Sequence, residues 1–121
     1  MAIKVVIGHR LGKGQAAAEG VKQAGGEAIV IPGLGADMKL GDVMQENDAD
    51  LGISFCGSGG AGAVTASTKY GYKMEFQLRT IEAGLEAVRN GARVIGFGFI
   101  DEEELGRRVT EEYAKLHPEK A

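Results

Sequence analysis

Five apolar runs, each followed by a stretch with helical periodicity, leave this chain few ways to fold. IKVVI (residues 3–7), EAIVIP (27–32), LGISFC (51–56) and ARVIGFGFI (92–100) are nearly continuous in apolar side chains. A strand with one wet face alternates apolar and polar residues, so runs like these belong to strands covered on both faces. A shorter run, YKMEF (72–76), gives a fourth strand between the third and the last. The intervening segments read as helices: QAAAEGVKQAG closed by Gly25–Gly26, a loop and short helix within GLGADMKLGDVMQENDAD, the small-residue stretch GAGAVTASTKY, and TIEAGLEAVRNG with Ile81, Leu85 and Val88 on one face. After the fifth strand, Asp101 is predicted to N-cap the last helix with Glu104 as its capping-box partner. Leu105, Val109 and Tyr113 form that helix's buried stripe. Strands alternating with helices predict an α/β fold: a single three-layer α/β/α, Rossmann-like domain over residues 1–121, with a five-stranded parallel sheet. The expected strand order is 2-1-3-4-5.

In such a sheet ligands bind beyond the carboxyl ends of the strands, where the strand order reverses. Here that point falls between strands one and three. It brings together GHRLGKGQ (Gly8 to Gln15) and CGSGGAG (Cys56 to Gly62). The chain has 20 glycines in 121 residues, more than twice the average share of about 7%. Four of them crowd into positions 57–62. A glycine turn that opens a helix can point backbone N–H groups at an anion, and the helix dipole favours negative charge there. Gly57, Gly59, Gly60, Ala61 and Gly62 are therefore candidate phosphate contacts, and Ser58 adds a hydroxyl. The only cysteine, Cys56, sits beside that helix terminus, where a thiol pKa falls and the thiolate becomes available. The alternative is that the glycines permit tight packing and Cys56 is a small buried hydrophobe. In the first loop His9, Arg10 and Lys13 suit a phosphate or carboxylate, or else form a solvated basic turn in which His9 caps a backbone group.

Other positions carry less. Arg79, in FQLRT after the fourth strand, reaches the same cleft or is simply an exposed arginine at a helix start. Arg107 and Arg108 lie early in the last helix, either solvated or offered to a neighbouring subunit. Gly84 costs its helix about 1 kcal/mol against alanine, which predicts a close neighbour there. The small-residue helix 61–68 predicts a tight helix or subunit contact. No G-x-G-x-x-G follows the first strand and no G-x-x-x-x-G-K-[ST] occurs, so dinucleotide and nucleoside triphosphate sites are poorly supported. The formal net charge is −3 with scattered Lys and Arg, which argues against nucleic acid and anionic membranes as partners. No apolar run approaches the roughly 20 residues of a membrane helix. A lone cysteine suits a reducing cytoplasm, and two distant histidines offer no metal cluster. No cofactor is expected.

SFCGSGGAGA matches the motif that names the bacterial glycine-rich SFCGS family, and the chain is identified as a member over its whole length. That family's genes accompany those for membrane proteins and sugar-acid metabolism, which adds a membrane-protein partner of a transport system to the expectations. LGISFCGSGGAGAVTASTK also resembles the strand-three region of ribose-5-phosphate isomerase B and the galactose-6-phosphate isomerase subunits. That resemblance implies a cysteine general base moving a proton between adjacent carbons of an open-chain sugar phosphate. It also implies loop amides stabilising the enediolate, with a histidine after strand one and arginines from the partner subunit handling phosphate. Cys56 matches the base, Ser58 the loop threonine, Gly57 and Gly59 the loop glycines, and His9 the strand-one histidine. NGARVIGFG resembles the approach to strand five. The departures are equally specific. The Asp-His pair after strand one is Gly8-His9 here, the third loop glycine falls on Ala61 with Gly62 one place later, and the ring-opening histidine after strand four has no match in KMEFQLRT. The chain also stops short of the family's longer C-terminal part. These departures bear on the isomerase reaction more than on phosphate binding.

The expected function is binding of a small anion, a phosphorylated sugar or sugar acid. The chemistry expected with it is of aldose–ketose isomerase type, with Cys56 as base and Ser58 and His9 assisting. The alternative is a soluble, phosphotransferase-like component of a sugar-uptake system without isomerase activity. In several such domains the cysteine follows strand one rather than strand three. A third reading is an interaction module whose glycine loop is purely structural. The resemblance and the small-residue helix together imply a homodimer.

Overall fold

The computed structural model describes residues 2–120. Strands β1 (Lys4–His9), β2 (Glu27–Val30), β3 (Leu51–Phe55), β4 (Met74–Leu78) and β5 (Val94–Phe97) alternate with helices α1 (Gln15–Gln23), α2 (Leu40–Asn47), α3 (Ala61–Tyr70), α4 (Ile81–Arg89) and α5 (Glu103–Leu116). A short 3-10 turn, Ala36–Lys39, leads into α2. Every strand pair is parallel. The α/β three-layer fold expected from the apolar runs is the one the chain adopts.

The order is β2-β1-β3-β5-β4, which corrects the expected 2-1-3-4-5 at one edge. The reason lies in the side chains. β5 is buried at all four positions, whereas Phe76 and Gln77 of β4 are exposed and the rest of β4 is only half-buried. A fully apolar strand belongs inside the sheet and a partly polar one at its edge, although consecutive strands are usually neighbours. β4 also carries a bulge between Glu75 and Leu78, a common feature of edges. The reversal of strand order between β1 and β3 is unaffected.

The two faces of the sheet bury separate cores. Val5, Ile7, Ile53, Phe55, Ile95 and Phe97 face α1, α4 and α5, where Leu85, Val88, Leu105, Val109 and Tyr113 meet them. Val6 and Val94 face α2 and α3 with Leu40, Met44, Ala63 and Ala66. The small residues set these contacts. A Cβ on Gly84 would stand 2.6 Å from the Phe97 ring, which is the close neighbour expected there. A Cβ on Gly41 of α2 would stand 2.9 Å from Ala66 Cβ, so the small-residue helix makes its tight contact within the chain.

The last helix starts differently from the expectation. Its N-cap is Glu102, without a side-chain cap. Asp101 turns away and caps α1 instead, accepting hydrogen bonds from Gly14 N–H at 3.1 Å and Ala17 N–H at 2.8 Å. The α1 N-cap is Gly14, which has no side chain of its own to offer, so a carboxylate from the end of β5 supplies the missing acceptor.

Candidate functional site

β3 delivers Cys56 to the carboxyl edge of the sheet, where its N–H donates to Phe97 O at 3.1 Å. The chain then turns through Gly57–Gly60 into α3. Gly59 and Gly60 both have φ of 99°, a left-handed conformation that glycine adopts without strain. A Cβ on Gly60 would also collide with Gly96 of β5. The turn brings donors around one atom. Cys56 Sγ accepts from Gly60 N–H at 3.2 Å and Ala61 N–H at 3.1 Å, and lies 3.1 Å from Ser58 Oγ. Burial pushes the thiol pKa up. Hydrogen bonds from the Ser58 hydroxyl and the amides of Ala61, Gly60 and Ser58 outweigh it, and the thiol settles below its ordinary value. The N-terminus of α3 thus directs its donors at a group of the protein's own, the Cys56 sulfur. Gly60 and Ala61, expected as contacts to a bound anion, direct their amides to that sulfur.

Gly57, Ser58 and Gly59 face outward onto a cavity of about 430 Å³. Its other walls are Gln77 and Leu78 at the end of β4, Arg79 just after it, and Gly98 and Ile100 after β5. Arg79 is exposed and makes no ion pair among the described residues. Gln77 N–H donates to Gly59 O at 2.7 Å, which ties the edge strand to the glycine loop.

His9 is the last residue of β1, in register with Phe55. Its ring is buried between Phe55 and Phe99, at centroid distances of 5.7 and 5.1 Å. Nδ1 accepts the Leu11 N–H at 3.0 Å, which leaves the proton of the neutral ring on Nε2. Burial lowers its pKa, Asp101 raises it, Lys13 lowers it again and Asp37 raises it; burial prevails. Phe99 links this ring to the cavity, since a Cβ on Gly57 would stand 3.6 Å from it. Arg10 and Lys13 are exposed and do not line the cavity. Asp101 occupies the α1 N-terminus beneath them. Arg107 pairs with Glu111, and Arg108 with Glu82 and Glu104.

One acidic group went unnoticed in the sequence. Asp37 is fully buried, and neither its carboxylate oxygens nor Ser54 Oγ finds a hydrogen-bond partner among the described residues. It packs against Gly8, where a Cβ would stand 2.9 Å from Ala36 O and 3.0 Å from Asp37 Cα, and against Gly62. The space beside Gly8 is filled by backbone of the 36–37 segment, which leaves no room for a side chain there. No sequence signal marks this, because Asp37 stands alone in a glycine-rich loop. Gln77 was also missed, and only the polar character of β4 hinted at it. Among the described residues no three His, Cys, Asp or Glu side chains gather closely enough to hold a metal ion, and none of the helices is long and apolar enough to cross a membrane.

The family model described as glycine-rich SFCGS matches residues 3–116. The chain belongs to that family. No curated protein matches it in sequence. Among solved structures the fold is shared with type B ribose-5-phosphate isomerases. The Trypanosoma brucei enzyme superposes with a TM-score of 0.71 at 21% identity, over 95% of this chain and 87% of that one. The Clostridium thermocellum enzyme gives 0.63 at 20% identity, over 93% and 84%. The Mycoplasma genitalium enzyme, solved with bound ribulose-5-phosphate, gives 0.67 at 16% identity, over 95% and 85%. At these identities the likeness is one of fold.

Proposed function

We propose that this SFCGS-family chain binds a phosphorylated sugar or sugar acid in the cavity between the glycine loop and the end of β4, and that Cys56 acts there as the general base of an aldose–ketose isomerisation. The observation that carries the reading is the buried Cys56 thiol, held by two helix-terminal amides and 3.1 Å from the Ser58 hydroxyl, where Ser58 lines a cavity that also holds a guanidinium, Arg79, with no ion pair among the described residues. The base takes the proton from the carbon next to the substrate carbonyl and returns it to the neighbouring carbon, through an enediolate. Ser58 and the His9 Nε2–H are the proposed donors to the substrate oxygens. Arg79 is the proposed phosphate anchor, with the Gly57 and Gly59 backbone beside it; Arg10 and Lys13 stand outside the cavity and contribute at most a general positive field. By the same resemblance the working form is proposed to be a cytoplasmic homodimer.

A second reading rests on the same thiol, which as a nucleophile would suit a phosphoryl-handling component of a sugar-uptake system. One set of assays separates the two. Turnover of a pentose or hexose phosphate that Cys56→Ser lowers by about a hundredfold or more supports the isomerase. A phosphocysteine signal after mixing with phosphodonor proteins, without turnover, supports the uptake component. Full turnover in Cys56→Ser removes Cys56 from the mechanism.

A further inference from the structure

We propose that Gln77 contacts the ligand, its carboxamide reading the hydroxyl groups of the sugar; this rests on the sugar-phosphate reading of the cavity above. Gln77 is in the left-handed region with φ of 61°. The other described non-glycine residue with positive φ is Asp48, at φ 50°, and it closes the C-terminus of α2, where that conformation is routine. Gln77 instead lies inside a strand, at the bulge of β4. A non-glycine residue held there is strained, and such strain persists where the surroundings over-determine it, most often at functional sites. The surroundings do so here. The Gln77 N–H donates to Gly59 O at 2.7 Å, and a Cβ on Gly59 would stand 2.7 Å from Gln77 Cα.

That clip between edge strand and glycine loop needs only backbone. A glycine at 77 would make it without strain, so the clip does not account for a glutamine. What the glutamine adds is a side chain, exposed and lining the cavity beside Ser58 and Arg79. Bulges commonly re-aim a side chain next to a site. A carboxamide both donates and accepts, as a hydroxyl does. The dianionic phosphate of a sugar phosphate only accepts and is better matched by the guanidinium of Arg79. The two side chains therefore divide the ligand: Arg79 takes the anionic end and Gln77 the polyhydroxy chain.

The test is calorimetric titration of the parent, Gln77→Gly and Gln77→Ala with inorganic phosphate and a panel of pentose and hexose phosphates. Both variants are expected to bind the tightest sugar phosphate about three- to tenfold more weakly, with the inorganic phosphate affinity unchanged. Gln77→Gly is expected to melt at a higher temperature than Gln77→Ala, because only the glycine relieves the left-handed strain. If the parent binds inorganic phosphate but both variants keep its preference for sugar phosphate, or if the parent shows no such preference, the assignment of Gln77 is overturned while the anion site stands. If the parent binds neither ligand, the sugar-phosphate reading falls and takes this assignment with it.

Discussion

Asp101→Ala is the substitution that most directly tests how the two ends of the chain are joined beside the site. The carboxylate spans 84 residues to reach Ala17 N–H and 87 to reach Gly14 N–H, and Ala17 is the third residue of α1, where an N-cap side chain ordinarily bonds. Loss of an N-cap acceptor costs about 0.5–2 kcal/mol. A negative group at a helix N-terminus adds about 0.3–1 kcal/mol. The contact is half-buried, so solvent does not fully replace it, and the total comes to about 2 kcal/mol. For a chain of this length that lowers the melting temperature by roughly 6–10 °C, measured by circular dichroism and checked by the urea midpoint. Glu104→Gln is the control. Under the capping box the sequence suggests, Glu104 would share the loss. In the structure it only pairs with Arg108 on the surface, and its removal is expected to cost a few tenths of a kcal/mol at most. The reasoning is refuted if Asp101→Ala stays within about 0.5 kcal/mol of the parent, or if Glu104→Gln is as damaging.

Two further outcomes follow from the shifted groups. His9 is buried with its pKa below the ordinary histidine value, so as pH falls through about 6.5 the unfolded chain takes up a proton that the folded ring still refuses. Stability is therefore expected to fall in that window and level off once the folded ring also titrates, and His9→Gln should flatten this part of the urea-midpoint profile between pH 7 and 5; an identical profile would count against the burial argument. Alkylation of Cys56 followed against pH should show a midpoint below that of an ordinary thiol, and Ser58→Ala, which removes one stabilising hydrogen bond, should move it upward; an unmoved midpoint would detach Ser58 from the thiol.

What the sequence made legible was what local pattern can encode. Near-continuous apolar runs announced doubly covered strands, and Leu105, Val109 and Tyr113 announced the buried stripe of α5. The glycine cluster after Cys56 announced a loop of special backbone. What it did not encode was partnership across the fold. Asp101 and Glu104 have the spacing of a capping box, yet Asp101 bonds to a helix that starts 86 positions earlier in the chain, because Gly14 left that end without an acceptor. The exchange of β4 and β5 follows from comparing the burial of two strands, while chain order alone argues for the opposite arrangement. Asp37 is buried only because the 36–37 backbone packs on Gly8, and Gln77 lines the cavity because the β4 bulge packs on Gly59.

The glycine loop also has a charge limit that its composition hides. Read as a sequence, CGSGGAG offers a thiolate and an anion cradle together. One helix terminus, worth about half a positive charge, is poorly suited to hold two anions at once. The structure gives the amides of Gly60 and Ala61 to Cys56 Sγ, so the sulfur already uses that field. On the proposed reading a phosphate finds its charge elsewhere, at Arg79, which lines the same cavity. If Cys56 takes up a substrate proton, the sulfur becomes neutral at the moment negative charge develops on the enediolate oxygens. The Ser58 hydroxyl, which lines the cavity, is then free to donate to the new charge. On the proposed reading the loop suits a charge that moves from sulfur to substrate, which is the property expected of a base rather than of a phosphate cradle.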